Sequence, residues 1–136
     1  MNTLYKFKGS VNSDLSLIKS FLDSAIMDLD SFIKDEEKLF DIKVILNELV
    51  INGAMHGNEE DLNKKVCLKL ILDDDSLKII VKDEGRGVDF DTSLYNCTEK
   101  SCNGRGLLIV EALTDQLILN ENEVIAINKT IRFIKN

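Results

Sequence analysis

Three polar residues at a four-residue spacing are the first candidates for chemistry: Glu48, Asn52 and His56, within "NELVINGAMHGN". In an α-helix residues four apart lie about 40° apart around the axis, so the three form a stripe on nearly one side. A carboxylate can take a proton from water or a hydroxyl. A carboxamide oxygen suits Mg²⁺, a hard cation that keeps water and phosphate oxygens among its ligands. Together they would serve phosphoryl chemistry on a magnesium nucleotide. Polar residues beside an apolar stripe are also commonly just solvated. His56, next to Gly57 as a helix terminator, reads as a partner for the helix C-terminus rather than a catalyst.

Two glycine-bearing segments lie further on. "DEGRGVD" supplies Asp83, Gly85 and Gly87 at the end of an apolar strand. A carboxylate there can accept a hydrogen bond from an exocyclic amino group such as that of adenine, and the glycines permit close backbone approach. "NGRGLLIV" supplies Gly104 and Gly106 at the mouth of a helix, where free amide groups form an anion site. There is no G-x-x-x-x-G-K-[ST] and no G-x-G-x-x-G, so neither a P-loop nor a Rossmann fingerprint is present. Residues 88–103, between the two boxes, have no sustained period and read as a lid.

The elements that must hold these groups follow from periodicity. "TLYKFKGS" reads as a short strand. A helix follows, capped at Asn12 or Ser13, with Leu15, Ile18, Leu22, Ile26 and Leu29 at helical spacing. A second helix starts near Asp35 and turns Leu39, Ile42, Leu46, Leu49 and Gly53 to the core. The period then falls to two: Val66, Leu68, Leu70 and Leu72, a turn at "DDDS", and Leu77, Ile79 and Val81. "GRGLLIVEALTD" is a short helix, and "QLILNENE" and "VIAINKTIRFIK" are two last strands. This order predicts an α+β two-layer sandwich, with a mixed, mostly antiparallel sheet and helices on one face.

Composition narrows the class. The 136 residues suit one domain, 1–136, and nothing in the chain marks a linker: it has no proline. A net charge of −7 without clustered basic residues in the sequence argues against direct nucleic-acid binding. No apolar run is long enough for a membrane span and no signal pattern opens the chain, so a cytoplasmic location is expected. Cys67, Cys97 and Cys102 lack metal-site spacing and read as reduced thiols.

A helix box with Glu48 and Asn52, then Asp83-x-Gly85-x-Gly87, a lid, and Gly104-x-Gly106 opening a helix: this order resembles the GHKL ATPase superfamily and its Bergerat ATP-binding fold. "NGRGLLIVEAL" is most similar to the histidine-kinase and anti-sigma version of the last box. The chain lacks the further domains of gyrase-like enzymes, and its only histidine, His56, lies inside the first motif rather than on a phosphoacceptor helix. What is left is the small group of anti-sigma factor serine kinases of the RsbW and SpoIIAB type. That resemblance implies an ATP- and Mg²⁺-dependent kinase that binds a sigma factor and phosphorylates a STAS-domain anti-anti-sigma protein, with a homodimer as an open possibility. It gives Glu48 the role of base and Asn52 that of Mg²⁺ ligand. Asp83 would read the adenine amino group, with Gly87 lining the base pocket, Gly85 also among the ATP-binding residues, Gly104 and Gly106 holding phosphates, and Thr130 near the adenine. Where kinase relatives often carry an arginine before the last box, this chain reads "KSCN", leaving Lys100 or Arg105 for the terminal phosphate. Two other readings stay open: a non-catalytic module switched by nucleotide, and a stand-alone histidine-kinase-like ATPase domain acting in trans.

Overall fold

The computed structural model describes residues 3–85 and 104–129. The order is β1 (Thr3–Asn12), α1 (Leu15–Asp30), α2 (Glu36–Asn52), a π-helical turn (Gly53–Gly57), β2 (Lys65–Asp73), β3 (Ser76–Lys82), α3 (Gly104–Leu113), β4 (Gln116–Asn120) and β5 (Glu123–Lys129). The strands form one sheet in the order β1-β2-β3-β5-β4, and all four pairings are antiparallel. The expected two-layer α+β architecture is therefore what forms, with a sheet more uniformly antiparallel than the sequence suggests.

The core lies between the helices and one face of the sheet. Strand alternation turns Val66, Leu68, Leu70 and Leu72 of β2 and Leu77, Ile79 and Val81 of β3 inward, as their period-two spacing requires. Against them pack Ile18, Leu22, Ala25 and Leu29 of α1, Ile42, Ile45, Leu46, Leu49 and Val50 of α2, and Leu107 and Val110 of α3. Leu15 departs from expectation: it is 52% exposed, at the mouth of a groove between α1 and α2 lined by Ile18, Leu22, Ile26 and Ile51. Among the described residues no helix is long and apolar enough to cross a membrane.

Helix starts are set by carboxylates. The Asp35 side chain accepts from the amides of Glu37 (2.9 Å) and Lys38 (3.3 Å), as expected for the cap of α2. At α1 the cap is Asp14, accepting from Ser16 N at 3.0 Å, rather than Asn12 or Ser13. Those two are already engaged across the fold. Asn12 donates to the Leu62 carbonyl (2.8 Å), and Ser13 donates both its amide (3.0 Å) and its hydroxyl (2.9 Å) to the Lys64 carbonyl.

Asn58 ties these segments together. It is fully buried, directly after the π turn. Its Nδ2 donates to Ser13 Oγ and to the Lys65 carbonyl, each at 3.0 Å, while its Oδ1 accepts from Glu84 N at 2.7 Å. One side chain thus joins the end of α2 to the start of α1, the start of β2 and the loop after β3. Removing it strands several buried groups at once, and each unsatisfied group costs about 1–3 kcal/mol. Asn58→Ala should lower stability by about 3 kcal/mol in urea unfolding. Asn47→Ala, which breaks only an exposed bond to the Lys43 carbonyl, should lose less than about 0.5 kcal/mol. A loss below about 1 kcal/mol at Asn58 would remove it from this role.

Candidate functional site

α2 does not stop at Asn52. Its axis continues into a π-helical turn over Gly53–Gly57, closed by an Asn58 N to Gly53 O bond of 2.8 Å. The wider turn breaks the four-residue stripe seen in the sequence. Glu48 and Asn52 are half-buried, whereas His56 is exposed in the last turn, consistent with a structural place at the helix end.

Gly53 and Gly57 then bring the end of β3 close. Gly53 packs on Val66, and a Cβ placed on it would lie 3.6 Å from Asp83 Cβ. A Cβ on Gly57 would fall on the Asp83 carboxylate, and one on Gly85 would fall on the Gly57 carbonyl oxygen. Gly57 and Gly85 are therefore required by contact rather than by turn geometry, whereas a Cβ at Gly53 would only press on Val66 at 3.3 Å. Side chains at Gly57 or Gly85 would push the Asp83 loop off the helix.

Asp83 itself is only 8% exposed and held at both ends of its backbone. Its amide donates to the Asn122 carbonyl (3.0 Å), and Asn122 Nδ2 donates back to the Asp83 carbonyl (2.7 Å). Its Oδ1 accepts from Gly85 N at 2.8 Å, and the carboxylate faces the Gly57 backbone. Burial pushes the Asp83 carboxyl above its ordinary value, and the Gly85 hydrogen bond and the Lys64 charge offset only part of that. A ligand donating an N–H here would find an acceptor already stripped of water.

The other half of the site lies one residue back along α2. A Cβ on Gly106, in the first turn of α3, would strike the Glu48 carboxylate and come within 3.2 Å of Asn52 Nδ2. Asn52 Nδ2 is buried and has no hydrogen-bond partner among the described residues. An orphaned carboxamide N–H is expensive inside a protein, and an incoming phosphate oxygen would accept from it. This donor and acceptor set, beside the amides at the start of α3, fits a magnesium–phosphate group.

The structure thus gathers Glu48, Asn52, Asp83, Gly85 and Gly106 around the end of α2, with Gly104 opening α3 as its first residue. Gly87, the lid at 88–103 and Thr130 lie outside the described residues, as does the side chain of Arg105. Lys129, the last described residue of β5, pairs with Ser76, at the end of β3 away from Asp83. Asn58, Asn122 and the contact role of Gly57 were not anticipated. A carboxamide right after a helix-ending glycine and another in a hairpin turn are ordinary in a sequence; only their partners distinguish them.

The family described as histidine kinase-like ATPase domain matches residues 15–135. Serine-protein kinase RsbW of Bacillus subtilis (strain 168) is 27% identical over 103 residues, covering 69% of this chain and 64% of that protein. Anti-sigma F factor of Oceanobacillus iheyensis is 30% identical over 113 residues, covering 79% and 75%. Anti-sigma F factor of Shouchella clausii is 37% identical over 86 residues, covering 60% and 59%. The matched region is thus less than two thirds of the length of two of these three relatives.

Because Asp83 has a folded-state pKa above the ordinary 3.8, ionising it opposes folding. The stability it contributes is complete below 3.8 and is lost as pH rises through the elevated value. Asp83→Asn should therefore raise the urea midpoint of the ligand-free protein at neutral pH, with the gain shrinking as pH falls. A gain that grows toward acid pH would contradict the burial argument.

Proposed function

Because this chain belongs to the histidine kinase-like ATPase domain family, we propose that it is a cytoplasmic ATP-dependent serine-protein kinase and anti-sigma factor, acting on a STAS-domain anti-anti-sigma partner. Its relatives carry the names serine-protein kinase and anti-sigma F factor. The observation that carries the reading for the site is the meeting of Glu48, the orphaned Asn52 carboxamide and Gly106.

In this reading ATP lies along the end of α2. The adenine amino group donates to Asp83, whose carboxylate is pre-desolvated and oriented by Gly85 N while Asn122 holds its backbone. Gly85 and Gly57 keep that end of the cleft free of side chains, and Gly87 extends the base pocket. At the other end the amides of Gly104 and Gly106 receive the phosphates, with Arg105 available to the terminal one. Asn52 and the phosphates would hold Mg²⁺, which when bound neutralises charge on the transferring group.

Glu48 takes the proton from the substrate serine as its oxygen attacks the γ-phosphorus and ADP departs. Catalysis of this kind rests mainly on positioning and charge neutralisation. The product serine phosphate adds a charge of about −1.5 to −2. Against a chain of net charge −7 that change weakens rebinding, which turns phosphorylation into partner release.

Two substitutions separate binding from chemistry. Glu48→Gln should leave ATP affinity within a few-fold while lowering transfer to a STAS-domain partner by about 100-fold or more. Gly106→Ala should weaken ATP binding itself by about tenfold, because its methyl occupies the space between Glu48 and α3. Titration calorimetry and labelled-ATP transfer assays measure the two effects. The product should be acid-stable phosphoserine. Acid-labile phosphate, or full transfer by Glu48→Gln, would refute the serine kinase reading.

A further inference from the structure

A carboxylate by itself does not choose adenine. The adenine amino group donates to it, but guanine also presents N–H donors, its 2-amino group among them, from another part of the ring. A carboxylate free to move would serve either base. Selectivity therefore depends on where Asp83 is held, and the groups that fix its backbone become part of base recognition.

Asp83 lies one residue beyond the last pairing of β3 with β5, that of Lys82 with Glu123. Asn122 lies opposite, in the two-residue turn Glu121–Asn122 that joins β4 to β5. In an antiparallel ladder a hydrogen-bonded pair exchanges two main-chain bonds. Here the first is main-chain: Asp83 N donates to the Asn122 carbonyl at 3.0 Å. The return bond comes from a side chain, with Asn122 Nδ2 donating to the Asp83 carbonyl at 2.7 Å. Alanine at 122 would keep the first bond and lose the second.

The turn that offers this carboxamide is strained. Glu121 has a φ of 50°, at the first central position of a two-residue hairpin, a place that favours glycine. Backbone strain of this sort persists where the surrounding contacts over-determine it. Glu121 is exposed, whereas Asn122 is half-buried against Asp83. The contacts that hold the turn are thus the ones that hold the base-reading residue.

We propose that Asn122 is a positioning residue for base selection: by pinning the Asp83 main chain it sets the carboxylate against the adenine amino group and denies it the shift that guanine's donors require. This role rests on the nucleotide reading above, and Asn122 acts through Asp83 rather than on the nucleotide. It brings the β4–β5 hairpin into the site, although "LNENEV" is an ordinary polar turn in the sequence.

Titration calorimetry of the full chain with ATP and with GTP, each with Mg²⁺, measures the selection. The wild type should prefer ATP by about thirtyfold or more. Asn122→Ala should weaken ATP binding by about tenfold and GTP binding by less than about threefold, so that the preference narrows. Glu121→Gly should raise the urea midpoint and leave both affinities within about twofold. Glu121→Gly/Asn122→Ala should recover most of the lost midpoint but not the preference, which separates positioning from loss of stability. An unchanged ATP-to-GTP ratio in Asn122→Ala, or a ratio restored together with the midpoint in the double variant, would overturn the proposal. Asp83→Ala tells its failure from that of the reading beneath it. If Asp83→Ala abolishes the preference and Asn122→Ala does not, the role of Asn122 alone fails. If Asp83→Ala also keeps the preference, the adenine role of Asp83 fails and that of Asn122 with it.

Discussion

Asn58 has one carboxamide, and it ties three segments together at once. Its amide nitrogen holds Ser13 and the Lys65 carbonyl, and its oxygen holds the Glu84 amide. With the side chain fully buried, these bonds have no water to replace them, so the geometry is nearly all-or-none. The π turn before it supplies the extra width that points the side chain inward, and its Gly53–Asn58 bond closes that turn. The position of Asp83 beside the glycines of α2 follows from this junction, because Glu84 is the next residue along.

The candidate site uses the junction in two directions. Gly53 and Gly57 admit the Asp83 carboxylate on one side, and Asn52 and Glu48 meet Gly106 on the other. In the proposed function, neighbouring residues of this segment would address both ends of an elongated ligand. Two features of this region are unfavourable in the free protein: a carboxylate out of water and a carboxamide nitrogen without a partner among the described residues. In the proposed complex, a ligand with an amino group at one end and phosphates at the other would relieve both.

Much of the architecture was legible because it rests on local periodicity. Val66 to Leu72 and Leu77 to Val81 alternate, and α1 and α2 repeat at helical spacing, so burial follows from counting. The caps show where counting ends. Asp35 acts as its position suggests, but Asn12 and Ser13 are drawn to carbonyls some fifty residues away and Asp14 caps α1 in their place. The Glu48–Asn52–His56 stripe was half right for a similar reason: the π turn alters the phase after Asn52 and leaves His56 in solvent.

What the amino-acid order alone determined is the set of elements, their apolar faces and the identity of the polar groups at their ends, since these depend on neighbours within a few residues. Tertiary structure decided the pairings between distant segments. Asn58 with Glu84, Gly57 with Asp83 and Gly106 with Glu48 are contacts made by chain crossings, and no short window of sequence contains both partners.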